Sequence, residues 1–365
     1  MQIKDITAFL EQRFPLYLQE DFDNCGVQCG DVSQEVTGVL VCFEMSIEVV
    51  EEAIAKGANL VISHHPLMLK RGICKIQPTD RVGEILCKAL EHKMVLYSMH
   101  TNIDSAQGGG NDAFAERLGL QHVSVLVPQS GHLRKVVVFV PSEYAETMRL
   151  ALAEVGCGKM GSYDQCAYTM SGTGSFRPLS DAHPFVGNTM QDEKVPEERV
   201  EMIFPAPLLR KVVSTIYRVH PYEEPAFDIL RLENASRTEG LGRVGMLPQP
   251  MPMSDFLRYL QEKMQITHLR YAGDGDKMIH KVAVCGGGGA SFIEAAMAAG
   301  ADAYVTGDIK YHDFFRAHRA MTIVDVGHYE GEFFIKEIIY KELKENFSTF
   351  AVSIAEMEKI EIFYL

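Results

Sequence analysis

The chain has 365 residues, 47% hydrophobic and 23% charged, an ordinary globular composition with room for about two or three domains. Its formal net charge of -14 opposes a phosphate backbone, and no Lys/Arg run interleaved with aromatics offsets that locally, so nucleic acid is not expected as a ligand. The longest apolar stretches are strand-length or broken by charge, so no membrane partner is expected either.

The opening MQIKDITAFLEQRF predicts an amphipathic helix without the basic flank and apolar centre of a signal peptide, and the expected compartment is the cytoplasm. Eight cysteines with no CxxC pair fit reduced thiols rather than a disulfide framework. Cys25 and Cys29 in DNCGVQCG can be read as a thiolate pair, but no second pair or nearby histidine completes a four-ligand set. Cys42 and Cys285 fall inside predicted strands and read as buried apolar residues.

An internal duplication organises the chain. Residues 39 to 66, VLVCFEMSIEVVEEAIAKGANLVISHHP, align without a gap on residues 282 to 309, VAVCGGGGASFIEAAMAAGADAYVTGDI. Each copy begins with a β-branched apolar run, continues through a helix ending in Gly, and closes with a second apolar run. A third strand follows each β-α-β unit, KMVLYSMH at 93 to 100 and AMTIVDVGH at 320 to 328. Strands this apolar, alternating with helices, predict a buried sheet with helices on both faces, an α/β/α arrangement of three layers.

Between the copies the rhythm changes. KVVVFVP before helical SEYAETMRLALAEVG resembles RVEMIFP before APLLRKVVSTIYRVH. A strand after each helix gives β-α-β-β-α-β, the ferredoxin-like α+β pattern. The spacing therefore predicts an inserted domain at 131 to 235, with residues 1 to 130 and 236 to 365 forming one discontinuous α/β domain.

Ligands in such sheets gather at the carboxyl ends of the strands. His64 and His65 follow the strand ANLVIS, His100 and Asp104 follow MVLYSM, Asp308 follows DAYVT, and His328 follows TIVDV. Adjacent histidines ahead of Pro66 splay their imidazoles toward different centres, which suits two metals better than one. His328 and Glu332, four apart in GHYEGEFF, share one face of a helical turn, and Asp104 adds a second carboxylate. The candidate metal ligands are thus His64, His65, Asp104, His328 and Glu332. Two readings are open for His100: a proton carrier near the reacting bond, or a hydrogen-bond partner of a ligand carboxylate. Asp308 and His312 are similarly ambiguous, and Asp308, equivalent to His65 in the repeat, is expected to border the cleft without ligating. Gly286 to Gly289 can cradle a phosphate or simply turn the chain, and HPYEE in the insert reads as a turn into AFDILRL rather than a metal site.

HHPLML, HTNIDSAQGGGNDAFAERLGL, TGDIKYHDFFRA and GHYEGE resemble the signatures of the NIF-three-like family, the GTP cyclohydrolase I type 2 homologues. DFDNCGVQCG is similar to that family's D-W-D-N-x-G-L-Q-x-G segment, with Phe22 in place of Trp, Cys25 and Cys29 in place of apolar residues, and Glu44 where Asp is common. GTGSFRP and HPYEEPAFDI resemble the PII/cation-tolerance-type insert of the longer members. The resemblance implies a dinuclear centre at His64, His65, Asp104, His328 and Glu332, a duplicated fold, and a toroidal homohexamer. The ligand types suit two divalent ions of zinc, iron or manganese alike. The expected function is a metal-dependent hydrolase of a nucleotide or cyclic amide. The alternative is a non-enzymatic metal-binding or regulatory assembly whose insert senses a small molecule.

Overall fold

Ile3, Ile6 and Leu10 are spaced three and four apart and fully buried, which makes α1 (Ile3–Arg13) an amphipathic helix in the computed structural model, where residues 1–69, 75–317, 319–359 and 362 are described. The Gln2 amide donates to Asp5 Oδ2 at 2.9 Å and satisfies one end of that helix. The chain continues through β1 (Gly26–Cys29), β2 (Gly38–Cys42), α2 (Ile47–Ala55), β3 (Leu60–Ser63), α3 (Arg81–Glu91), β4 (Val95–Ser98), α4 (Thr101–Ser105), α5 (Gly110–Arg117) and β5 (Gln121–Pro128). Helices α2 and α3 start where Ser46 Oγ accepts from the Val49 amide at 3.3 Å and Asp80 Oδ1 from the Gly83 amide at 2.7 Å.

Two compact units divide the chain, Met1–Gln129 with Ser236–Leu365, and Ser130–Ala235. The latter holds β6 (Leu133–Pro141), α6 (Ala145–Glu154), β7 (Tyr168–Phe176), β8 (Glu193–Pro205), α7 (Leu209–Val219) and β9 (Phe227–Arg231). Its sheet runs β7-β8-β6-β9 and is antiparallel throughout. Val136, Val138 and Val140 of β6 pack with Met148 and Leu152 of α6 and Val212 and Ile216 of α7, so both helices cover one face. HPYEE precedes β9 as a turn, and His220 Nε2 lies 2.8 Å from the Phe139 carbonyl.

The chain re-enters the first unit at Ser236, whose amide donates to the Gln129 carbonyl at 2.7 Å. There follow β10 (Gly240–Pro252), α8 (Met253–Met264), β11 (Arg270–Ala272), β12 (Met278–Gly288), α9 (Ile293–Ala298), β13 (Ala303–Gly307), β14 (Thr322–Asp325), α10 (Ile335–Asn346) and β15 (Ala351–Ile354). One sheet has the order β1-β4-β3-β2-β15 and the other β11-β14-β13-β12-β10-β5. Strands β2, β3 and β4 are parallel, as are β12, β13 and β14, and each trio ends on an antiparallel strand, β1 or β11.

Alternation along these strands explains why they are apolar throughout. Val39, Val41, Leu60 and Ile62 face the same core as Val282, Val284 and Val305, together with α1, α5, α8 and α10. Leu40, Cys42 and Val61 turn to α2 and α3, while Ala283, Cys285 and Tyr304 turn to α9. Both thiols are buried, and the described cysteines are free. Among the described residues no helix is long and apolar enough to cross a membrane.

Candidate metal centre

Buried β3 delivers His64 and His65 directly from its carboxyl end, where the strand stops at Ser63. Ser63 Oγ donates to the His65 carbonyl at 2.6 Å and lies 2.9 Å from Ser98 Oγ of the neighbouring β4, which fixes the turn. β4 ends in the same way before His100 and Asp104, and β14 before His328. Asp325, the last residue of β14, accepts from the Gly327 amide at 3.0 Å and the Ile309 amide at 3.1 Å, and it pairs with Arg270. That one buried carboxylate holds the loops carrying both Asp308 and His328.

Glu332 is the centre of the cluster. Its Oε2 lies 3.2 Å from His328 Nε2 and 3.5 Å from the Nε2 atoms of His64 and His65. Asp104 Oδ2 stands 4.0 Å from His64 Nε2, and the Nε2 atoms of His65 and His328 are 3.3 Å apart. Among the described residues three groups have donor atoms close enough together to hold a metal ion: His64, Asp104 and Glu332; His65, His328 and Glu332; and His64, His65 and His100. All five sequence-predicted ligands and His100 therefore meet in one place. His312 does not, since it is exposed against Tyr311. The segment between His328 and Glu332 is a 3-10 turn, Tyr329–Gly331, rather than an α-helical one.

His64, His65 and His328 are each gripped from outside through Nδ1, while His100 Nδ1 stands close to a carboxylate without a hydrogen bond to it. His64 Nδ1 lies 2.8 Å from the Met99 carbonyl, His65 Nδ1 2.7 Å from Glu44 Oε2, His328 Nδ1 2.6 Å from Asp308 Oδ2, and His100 Nδ1 2.9 Å from Asp23 Oδ1. A carbonyl can only accept, so His64 carries its proton on Nδ1 and a lone pair on Nε2. Asp23 is fully buried and also accepts from the Thr101 amide at 3.0 Å. Glu44 is braced by Arg81 at 2.7 Å.

Electrostatics follow from this geometry. Burial depresses the His64 imidazole to about 4, so it is neutral at pH 7. Burial also works against a charge on His65, but the Glu332 and Glu44 carboxylates override it and push the group up to about 10. The neighbouring Glu332 carboxylate leads the effects that raise His328 to about 9. Burial, reinforced by the charge of Glu332, raises Asp104 well above the ordinary carboxylate range. Glu332 is held well below that range against its own burial by His64, His328 and His65.

The donor set fits a metal. His64 Nε2 and Glu332 Oε2 are buried without a hydrogen-bond partner, and such atoms cost about 1–3 kcal/mol each when unsatisfied. At neutral pH the lone pair of His64 faces a carboxylate oxygen with no proton between them. A cation on that line turns the repulsion into two bonds.

Motif reading did not identify the outer supports Asp23, Glu44 and Asp325. Nor did it find the purpose of the glycine run. A Cβ at Gly287, where φ is +58°, would collide with Glu332 Oε1, and one at Gly286 would lie 3.0 Å from Glu332 Cγ. The Gly286 amide donates to Asn111 and the Gly289 amide to Thr306, both at 3.0 Å, and α9 beyond them has six residues. The glycines thus make room for a carboxylate and do not present a free phosphate cradle.

The family model described as Duf34/NIF3 (NGG1p interacting factor 3) matches residues 1–361. A Bacillus subtilis (strain 168) protein named GTP cyclohydrolase 1 type 2 homolog is 39% identical over 345 residues, covering 93% of this chain and 91% of the relative. A Listeria innocua protein of the same name is 38% identical over 330 residues, covering 89% and 87%. The crystal structure of a Bacillus cereus protein related to NIF3 superposes with a TM-score of 0.83 at 35% identity, covering 100% of this chain and 99% of that one. By sequence and by fold, the chain belongs to the Duf34/NIF3 family.

Proposed function

We propose that this site is a dinuclear centre of divalent transition-metal ions serving a hydrolase that acts on a nucleotide or cyclic amide. His64 and Asp104 would hold one ion, His65 and His328 the other, and Glu332 would contribute to both. The observation carrying the proposal is the convergence of three Nε2 atoms on one buried carboxylate oxygen, with His64 Nε2 and Glu332 Oε2 left unsatisfied and each imidazole oriented by an outer acceptor on Nδ1. Glu332 belongs to both of the triplets that it joins, which favours two ions sharing it.

When bound, such a pair supplies a water acidified towards ~7 and a polarised target bond. His100, backed by buried Asp23, sits beside His64 and His65 with ring centroids 5.1 and 5.3 Å away, within reach to carry a proton to a leaving group. Phe43 stacks on His64 at 5.4 Å and shields that side from water. The substrate class is taken from the name of the relatives, which points to guanine-ring opening.

The same reading includes a duplicated α/β/α unit, a ferredoxin-like insert and a toroidal homohexamer. The shared run of one antiparallel and three parallel strands in the two sheets supports the duplication. The strand order β7-β8-β6-β9, with one helix after β6 and one after β8, supports the insert.

Elemental analysis after reconstitution with zinc, iron or manganese should find close to two ions per chain, and fewer than one sinks the dinuclear reading. Metal-loaded protein is then tested for turnover against guanine nucleotides and cyclic amides. Two ions without turnover of any of them would leave a non-enzymatic metal-binding assembly.

A further inference from the structure

Unit Ser130–Ala235 contains a cavity that the metal site does not involve. Because Val136, Val138 and Val140 of β6 face α6 and α7, Phe139 points to the opposite side of the sheet. Glu197 of β8 and Phe176 of β7 fall on that same side by strand register. With Tyr222 and Phe185 from the loops they line a space of about 410 Å³, the size of a small-molecule pocket. The Phe176 and Phe185 ring centroids lie 5.9 and 6.3 Å from that of Tyr222, which makes an aromatic wall.

The polar groups set the sign of the ligand. Tyr222 donates to Glu197 Oε1 at 3.0 Å, and among the described residues this is the hydrogen bond that fixes the Glu197 carboxylate. Gly174 of β7 lies beneath that carboxylate, and a Cβ there would collide with it. Glu223 and Glu224 add negative charge at the same cavity. Among the described residues the one cation in its lining, Arg177, is already occupied bidentately by Asp192 at 2.6 and 2.7 Å, and Arg199, 5.6 Å from the centre of the Phe139 ring, is taken up by Glu201 at 2.7 Å. A second cavity of about 410 Å³ shares Phe139, Gly174 and Glu197, so a substituent reaching past the carboxylate also has room.

We propose that this unit binds a planar aromatic molecule bearing an amino or amidinium group. The ring packs among Phe139, Phe176, Phe185 and Tyr222, and the N–H edge donates to Glu197. An aromatic wall favours a flat ring and attracts positive charge through its π faces, and the uncompensated carboxylates disfavour an anion of the same shape.

Calorimetric titration of the full-length, metal-loaded protein tests this with three probes: benzamidine, benzoate as the anionic isostere, and acetamidine as the cation without a ring. Benzamidine is expected to bind at least ~10-fold more tightly than either of the others. Glu197→Gln should weaken benzamidine by roughly 10–100-fold, the worth of a charge-assisted hydrogen bond, with metal content unchanged. Phe185→Ala, at a half-exposed rim position, should weaken it as well and provides the test if Glu197→Gln does not fold. The proposal is overturned if benzamidine does not bind, if benzoate or acetamidine binds equally well, or if neither variant changes the affinity. The metal readings above stand or fall separately, because no residue of this cavity belongs to the metal cluster.

Discussion

Glu332 lies where a side chain on residue 287 would have to be, and Gly287 makes that possible. The positive φ of +58° at Gly287 turns the backbone away while the missing Cβ leaves the carboxylate its space. Gly287→Ala should therefore displace Glu332 and lower occupancy of both ions together. Far-ultraviolet circular dichroism should remain that of the wild type, and a folded Gly287→Ala protein with two tight ions would refute this role.

Charge at Glu332 is predicted to matter for both ions and each imidazole mainly for one. Glu332→Gln keeps the shape but removes the negative charge that offsets two nearby cations. His64→Ala should weaken chiefly the ion shared with Asp104, and His65→Ala chiefly the ion shared with His328. Calorimetric metal titration of the three variants should show two weakened sites in the first and one in each of the others.

Metal affinity should rise with pH. His65 and His328, raised to about 10 and about 9, hold protons at pH 7 in the metal-free protein. Metal must displace those protons, so apparent affinity falls as pH drops below about 9, where both imidazoles are protonated. Titrations at pH 7 in two buffers of different ionisation enthalpy should report net proton release. No difference between the buffers would contradict the raised values.

On the proposed dinuclear reading Glu44 would act only through His65, whose Nδ1 it holds at 2.7 Å. Glu44→Gln should weaken the ion held by His65 and His328 by ~10–100-fold and leave its neighbour nearly unchanged. Competition with a coloured chelator at fixed pH distinguishes this from a general loss of stability, which would weaken both.

Gln129 and Ser236 are joined by a 2.7 Å hydrogen bond, so a short linker can replace the residues between them. A chain with residue 130 joined to residue 236 through a few glycines and serines is expected to keep native metal content. Loss of metal in a folded deletion protein would show that the excised segment builds the site.

Continuous β-branched runs made β2, β3, β12 and β13 readable, because strands buried on both faces need apolar residues at every position. Short, partly exposed strands such as β1 and β11 carry no such pattern; their pairing is set by the strand beside them. The inward donors of the site stood out because two adjacent histidines and a His-x-x-x-Glu spacing are local features. Asp23, Glu44, Asp308 and Asp325 act across gaps of up to 78 residues, as between Asp23 and Thr101, and a lone acid in a loop does not announce what it will reach. The four glycines left two readings open, a phosphate cradle or a turn. Their purpose depends on Glu332, which arrives only through tertiary packing.

The discontinuity of the first unit also orders events in time. His64 and His65 emerge from the ribosome early, whereas His328 and Glu332 come roughly 270 residues later, a delay on the order of ten seconds or more at ~5–20 residues per second. During that interval the two imidazoles exist without the carboxylate that unites them and without Asp308 or Asp325 to aim the third. An ion arriving then would meet only His64, His65, His100 and Asp104. The full candidate ligand set thus belongs to the finished chain, and the insertion of a whole unit between its two halves lengthens the time before it is complete.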